Sequence, residues 1–332
     1  MARSVNGEPA PGVPIGRTHA RTASTGRART RAAAVSIASN TFLIALKLFA
    51  GAVTGSVAIL TEAIHSGIDL IASFIAYFSV RQAEEPADAG HRYGHEKFEN
   101  VAAAAEGVLI LVGSGVIIYA AAHALVQGPE LESLGFGIGV VGFAAFVNLV
   151  VSAWLFRRAR ETESPALEGD AAHLRTDAYT SLGVLVGLAL VHWTGQEWLD
   201  PAVALVIAGA IVVTGLKLVG RSWRVLVDEA LPDEELAAIR DAIGDFGRDE
   251  VVGYHQLRTR RAGARRYVDL HLQFRSGTTL EAAHGIAHQL QDRIAGRLRG
   301  ADVLIHLEPE DRVREDPIGD ELPAPEPPNV RR

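Results

Sequence analysis

From Leu134 to Phe156 the chain carries no charged side chain. A helix needs about 20 predominantly apolar residues to cross the hydrocarbon core of a bilayer. A soluble helix of that length shows a polar face, and this run has none. Comparable runs recur at 33–53, 57–80, 101–126, 178–194 and 201–219. The fifth is short, and it reaches spanning length if it extends backward through 168–177 with the polar groups there turned inward. The pattern predicts an α-helical membrane protein with six transmembrane helices.

Basic residues orient these spans. Arg17, Arg21, Arg27, Arg29 and Arg31 precede the first; Arg81, Arg92 and Lys97 lie between the second and third. Arg157, Arg158, Arg160 and Arg175 follow the fourth, and Arg221 and Arg224 follow the sixth. The connections near 54–56, 127–133 and 195–200 hold no Lys or Arg. Every basic loop thus falls on one side, which places both termini in the cytoplasm. Abundant Ala, Gly and Arg, with only Lys47, Lys97 and Lys217, suggests a GC-rich bacterial genome and hence a cell membrane.

The transmembrane domain is expected over 33–225, after a disordered basic tail at 1–32 suited to an anionic leaflet. Residues 226–308 are dense in Arg, Asp and Glu and read as a cytoplasmic domain. A helix opens at Pro232-Asp233-Glu234-Glu235 and runs to about Phe246. Strands follow at Val251–Arg260 and Arg266–Phe274, around a turn at Ala262-Gly263-Ala264. A helix from Thr279 to about Leu298 and a strand from Asp302 to Leu307 complete an αββαβ order. That order predicts a small α+β sandwich with both helices on one face. The Pro-rich segment 309–332 reads as a second disordered tail.

The absence of Cys excludes disulfides, thiolate catalysis and thiolate metal sites, so a metal must be held by His and carboxylates. A net charge of −7 argues against a nucleic-acid partner. Charged groups near mid-bilayer cost about 2.5–3.5 kcal/mol even on lenient scales, so those present should face protein or water. The second span contains Glu62, His65 and Asp69, and the stretch entering the fifth contains Asp170, His173, Arg175 and Asp177. His65 and Asp69 share a helix face one turn apart, as do His173 and Asp177. Packed face to face, the two helices offer two imidazoles and two carboxylates, a tetrahedral set suited to Zn²⁺ and acceptable to Fe²⁺ or Co²⁺.

A second cluster, Asp88, His91 and His95, lies in the loop after the second span. Its two imidazoles share a face if the next helix begins there. A third group, His255, His271, His284, His306 and Glu308, is dispersed through the cytoplasmic part. Spacing alone does not show that it converges. His19, His123, His192 and His288 read as tail, span-end and surface residues. A membrane metallohydrolase is disfavoured, because no His-Glu-x-x-His motif is present and the quartet leaves no open coordination position. A metal-sensing membrane scaffold without transport would use the same ligands.

The stretch from Lys47 through Gly51, Thr54, Gly55 and Ser56 to His65, Ser66 and Asp69 resembles the opening signature of the cation diffusion facilitator transporters. The runs His91-Arg-Tyr93-Gly94-His95-Glu-Lys97, His173-Leu-Arg-Thr-Asp177 and Leu199-Asp200-Pro201 resemble later family motifs, in order. The likeness covers about 32–308, and the soluble part resembles the family's ferredoxin-like domain. It implies a homodimer that moves divalent metal out of the cytoplasm in exchange for protons: a secondary active transporter, not an enzyme. It also implies a transport site at His65, Asp69, His173 and Asp177 and a loop site at Asp88, His91 and His95. A regulatory metal cluster falls on His255, His271, His284 and His306, with Glu308 standing where some relatives carry Asp. Lys97 and Asp228 match a basic–acidic pair tying the loop to the end of span six across the dimer. His65 in place of Asp resembles zinc-selective members.

Overall fold

The computed structural model describes residues 16–54, 57–127, 135–246 and 249–312. Six helices come first: α1 (Gly16–Thr54), α2 (Val57–Ala83), α3 (Lys97–Gln127), α4 (Gly135–Thr162), α5 (Pro165–Thr194) and α6 (Leu199–Leu226). Among the described residues, α1, α3, α4, α5 and α6 are long and apolar enough to cross a membrane. The run expected at 57–80 falls on α2, whose described apolar part is Leu70–Ala83.

Helix α1 begins at Gly16, so the second half of the segment expected to be disordered is helical. The reason lies in its composition: Ala and Arg are strong helix formers, and they dominate from Arg17 to Ala34. This extension is packed rather than free. Ala32 and Ala33 are buried, Thr30 Oγ1 donates to Glu84 at 2.7 Å, and Arg29 pairs with buried Glu99 of α3. Residues 1–15 and 313–332, the remaining parts of the two expected tails, lie outside the described residues.

Helix α5 starts where its sequence permits. Ser164 caps it by accepting from Leu167 N, Pro165 occupies the first turn, and Gly195 at φ 71° closes it in the left-handed region. The helix therefore does extend backward through 168–177, and that half is its most buried: Ala166, Leu167, Ala171, Ala172, Leu174 and Ala178 all lie in the interior. Small side chains on this face let the neighbouring helices approach closely.

The soluble domain follows as α7 (Asp233–Gly244), β1 (Val251–Ala262), β2 (Arg265–Phe274), α8 (Leu280–Arg297) and β3 (Ala301–Pro309). Strand order is β1-β2-β3, with β1 antiparallel and β3 parallel to β2. Alternation along β2 turns Val268, Leu270, Leu272 and Phe274 toward α7 and α8, where Ile239, Ile286, Leu290 and Ile294 complete the core. Asp269, His271 and Gln273 point from the other face, away from α7 and α8.

The hairpin between β1 and β2 seats the soluble domain on the helices. Gly263, at φ 53°, donates its N–H to Asn100 Oδ1 of α3 at 2.9 Å. Beside it, Arg266 is buried and pairs with Glu235 of α7 and with Glu163 in the α4–α5 turn. Tyr267 Oη donates to Tyr93 O at 2.7 Å, and Arg260 stacks over both tyrosine rings. A Cβ on Gly263 would lie 2.9 Å from Glu96 O, in a backbone region costly for L side chains. Gly263→Ala is therefore expected to lower stability by about 1–2 kcal/mol, read as a lower melting temperature of the detergent-solubilised chain.

Candidate metal sites

Helix geometry places His173 and Asp177 of α5 one turn apart, with Nε2 and Oδ2 at 3.9 Å. His173 is buried against α3, and its Nδ1 lies 3.8 Å from Oε2 of the fully buried Glu106. One turn earlier, Asp170 is also fully buried and accepts a hydrogen bond from Ser73 Oγ of α2 at 2.9 Å. Ser73 in turn accepts from Asn40 Nδ2 of α1 at 2.8 Å. His65 and Asp69 belong to α2, but their side chains lie outside the described residues. Backbone position still places Asp69 one turn before Ser73, on the helix that contacts α5 through Asp170.

In the second cluster, Asp88 Oδ1 lies 3.5 Å from His91 Nδ1 and Asp88 Oδ2 lies 3.4 Å from His95 Nε2. The two imidazoles are 3.1 Å apart, Nε2 of His95 to Nδ1 of His91. All three offer ligand atoms within 4.8 Å of one another. The means differ from the expectation of a shared helix face, since α3 begins only at Lys97. A tight turn, closed by Gly94 N–H to His91 O at 3.0 Å with Gly94 at φ 93°, brings the rings together instead. The backbone N–H groups of His91 and Gly90 donate to Asp88, and the His91 bond chiefly holds its carboxyl below the usual range.

The third cluster is assembled by strand register. His255, His271 and His306 stand opposite one another across β1, β2 and β3, and Glu308 is two residues further along β3 on the same face. Glu308 lies between imidazoles, with Oε2 2.8 Å from His255 Nε2 and Oε1 2.9 Å from His271 Nδ1. His306 Nε2 is 3.4 Å from Oε1. His255, His271 and Glu308 form a group with metal-binding spacing. A bulge after His255, with Gln256 at φ 51°, sets the aim of that ring. Burial raises the Glu308 carboxyl, but the hydrogen bonds from His255 and His271 outweigh it and hold it below its usual value. His284 is not in this group. It sits on the exposed face of α8, its Nε2 3.1 Å from that of His288.

These carboxylate–imidazole clusters, one inside apolar helices and two outside them, suit a chain that handles divalent cations in a membrane. The cation efflux transmembrane domain matches residues 33–227, and the cytoplasmic domain of cation efflux proteins matches residues 231–310. The chain belongs to the cation diffusion facilitator family. An uncharacterized transporter of Synechocystis sp. is 34% identical over 298 residues, covering 90% of this chain and 94% of the relative. The cation-efflux pump FieF of Yersinia pestis is 36% identical over 281 residues, covering 84% of this chain and 92% of the pump. A solved structure of the putative zinc transporter CzrB, in its zinc form, is 36% identical and covers 26% of this chain and 99% of that one, with a TM-score of 0.25. This protein is thus a multi-pass membrane transporter for divalent metal cations, with a cytoplasmic αββαβ domain, and not an enzyme.

In this transporter the pair expected across a dimer closes within one chain, Lys97 Nζ to Asp228 Oδ1 at 2.7 Å. Glu106 was missed by the sequence reading, although a lone acid inside the run 101–126 was the available signal. Glu308→Gln should lower Zn²⁺ affinity at the strand cluster by at least about tenfold, measured by calorimetry on the purified full chain. Lowering pH from about 7.5 to about 5.5 should weaken the same site, because protons compete with the metal for the imidazole nitrogens. Glu308 stays ionised throughout that window. Its depressed pKa gives stability that is present above the unfolded value of about 4.5 and is lost only as pH falls through the lower folded one.

Proposed function

We propose that this transporter exports Zn²⁺ from the cytoplasm in exchange for protons, through an intramembrane site formed by His65, Asp69, His173 and Asp177. The His173–Asp177 pair on α5, with His173 buried and Asp177 partly exposed, lies inside the cation efflux transmembrane domain and carries this reading. Two imidazoles and two carboxylates favour Zn²⁺, with Fe²⁺ or Co²⁺ as secondary substrates. Six spans, both termini in the cytoplasm and a homodimer in the cell membrane complete the proposal. Its domain limits are a membrane domain over 33–225, reached through a helical extension, and a cytoplasmic domain over 226–308.

Metal and protons compete for one site. Zn²⁺ requires neutral imidazole and ionised carboxylate, so the inward-facing site loads metal at cytoplasmic pH. Facing a more acidic exterior, the same groups take up protons and release the metal, and the protons travel inward on return. Two carboxylates also offset the charge of the bound cation, which lowers the cost of carrying it through a low-dielectric interior. The loop cluster and the strand cluster are proposed as auxiliary metal sites, the latter biasing the membrane domain toward whichever state binds metal better.

The test is reconstitution in liposomes, following Zn²⁺ uptake and lumenal pH together, with Asp177→Ala for comparison. Coupled zinc and proton movement that falls to the protein-free background in the variant is the expected outcome. Zinc binding without flux in the intact chain would replace transport by a metal-sensing scaffold.

A further inference from the structure

We infer that Glu106 is a positioning residue for the transport centre: its carboxylate holds His173 by Nδ1, so that Nε2 is presented to the metal. This inference rests on the proposed role of His173 and Asp177. Nδ1 faces Glu106 at 3.8 Å, and Nε2 faces Asp177 at 3.9 Å. The two lone-pair directions of an imidazole diverge. An ion held between Nε2 and Asp177 therefore lies on the far side of the ring from Glu106, which cannot ligate it. What Glu106 can do is accept a hydrogen bond from Nδ1–H. A neutral histidine has one ring N–H and one acceptor nitrogen, and fixing the proton on Nδ1 frees Nε2 for metal. Metal-bound histidines commonly donate their other N–H to a carboxylate in this way.

The surroundings are arranged for that contact. Glu106 is fully buried among apolar helices, where an ionisable group is costly and a mere packing role would be filled better by Leu or Met. Gly169, one turn before His173, is what allows α3 to come close: a Cβ there would lie 3.1 Å from both Cβ and Cγ of Glu106. Asp170, the other buried acid nearby, is hydrogen-bonded by Ser73 of α2 and also interacts electrostatically with His173. At 3.8 Å the Glu106–His173 separation is longer than a hydrogen bond, and metal binding closes it by roughly 1 Å, as contacts of this kind tighten when the site is filled.

The test measures Zn²⁺ affinity by chelator competition on the purified full-length chain carrying His95→Ala and His271→Ala, which removes the two auxiliary clusters from the signal. In this background Glu106→Ala should weaken binding by about ten- to a hundredfold. Glu106→Gln, whose amide oxygen still accepts from Nδ1–H, should recover most of it, whereas Glu106→Leu, which fills the space without an acceptor, should lose as much as the alanine variant and serves in its place if that one does not fold. Once His173→Ala is added, none of these substitutions should matter by more than about twofold, because Glu106 acts through that ring. Equal losses with and without His173 would overturn the inference, as direct ligation or packing would then be the role. A loss from His173→Ala with none from Glu106→Ala or Glu106→Leu would remove this inference alone. No loss from His173→Ala would remove the transport-site reading and the inference with it.

Discussion

Carboxylates are strongly solvated in water and have no comparable partners in hydrocarbon, yet α5 carries Asp170 and Asp177 with an imidazole between them. Each must find polar company from protein. Ser73 and Asn40 bring α2 and α1 to Asp170, Glu106 brings α3 to His173, and Ser152 Oγ of α4 donates to Ala171 O at 2.7 Å. Helix α5 consequently touches all five other helices of the membrane domain. Its small residues, Ala166, Gly169, Ala171, Ala172 and Ala178, let those neighbours approach, so the polar centre and the close packing are two sides of one requirement.

The ends of these helices nearest the soluble domain form a joint. Glu99 of α3 pairs with Arg29 of α1 and accepts from Ser164, the residue that caps α5. One residue on, Asn100 receives the hairpin tip, and Glu163 receives Arg261 and Arg266 from its two strands. The loop cluster lies against this joint, since Tyr93, between His91 and His95, is the residue that Tyr267 and Arg260 engage. Charge is matched across the contact, with Lys97 on Asp228 and Arg265 on Glu96 as well. Partly buried ion pairs of this kind hold an orientation more than they add stability.

The fold was largely legible from hydropathy and punctuation. Apolar runs marked the helices α1 to α6, Pro232 and the following acids marked α7, and Ala262-Gly263-Ala264 marked the hairpin. The helical start at Gly16 was not, because basic composition was weighed above the helix propensity of Ala and Arg. In the candidate sites, His173 and Asp177 were readable because the period of one helix fixes their spacing. The His91–His95 contact was readable as a cluster but not as geometry, since a turn at Gly94 produces what a helix was expected to produce. Convergence of His255, His271 and Glu308 depends on register between strands far apart in the chain, which residue spacing does not encode. Glu106 pairs with a partner on another helix, and neither helix alone reveals it.

Strand alternation would put His255 and Arg258 on opposite sides of the sheet, because an odd number of steps separates them. The extra residue at Gln256 reverses that parity: His255 opposes His271, and beyond the bulge Arg258 opposes Asp269 and Arg260 opposes Tyr267. A single surface thus carries imidazoles at one end and the guanidinium that clasps Tyr93 at the other. Without that inserted residue, one strand could display its imidazole or its grip on the membrane half on this face, but not both. The irregularity lets a two-residue repeat address two tasks in line, and either end can change its side chains without shifting the other out of step.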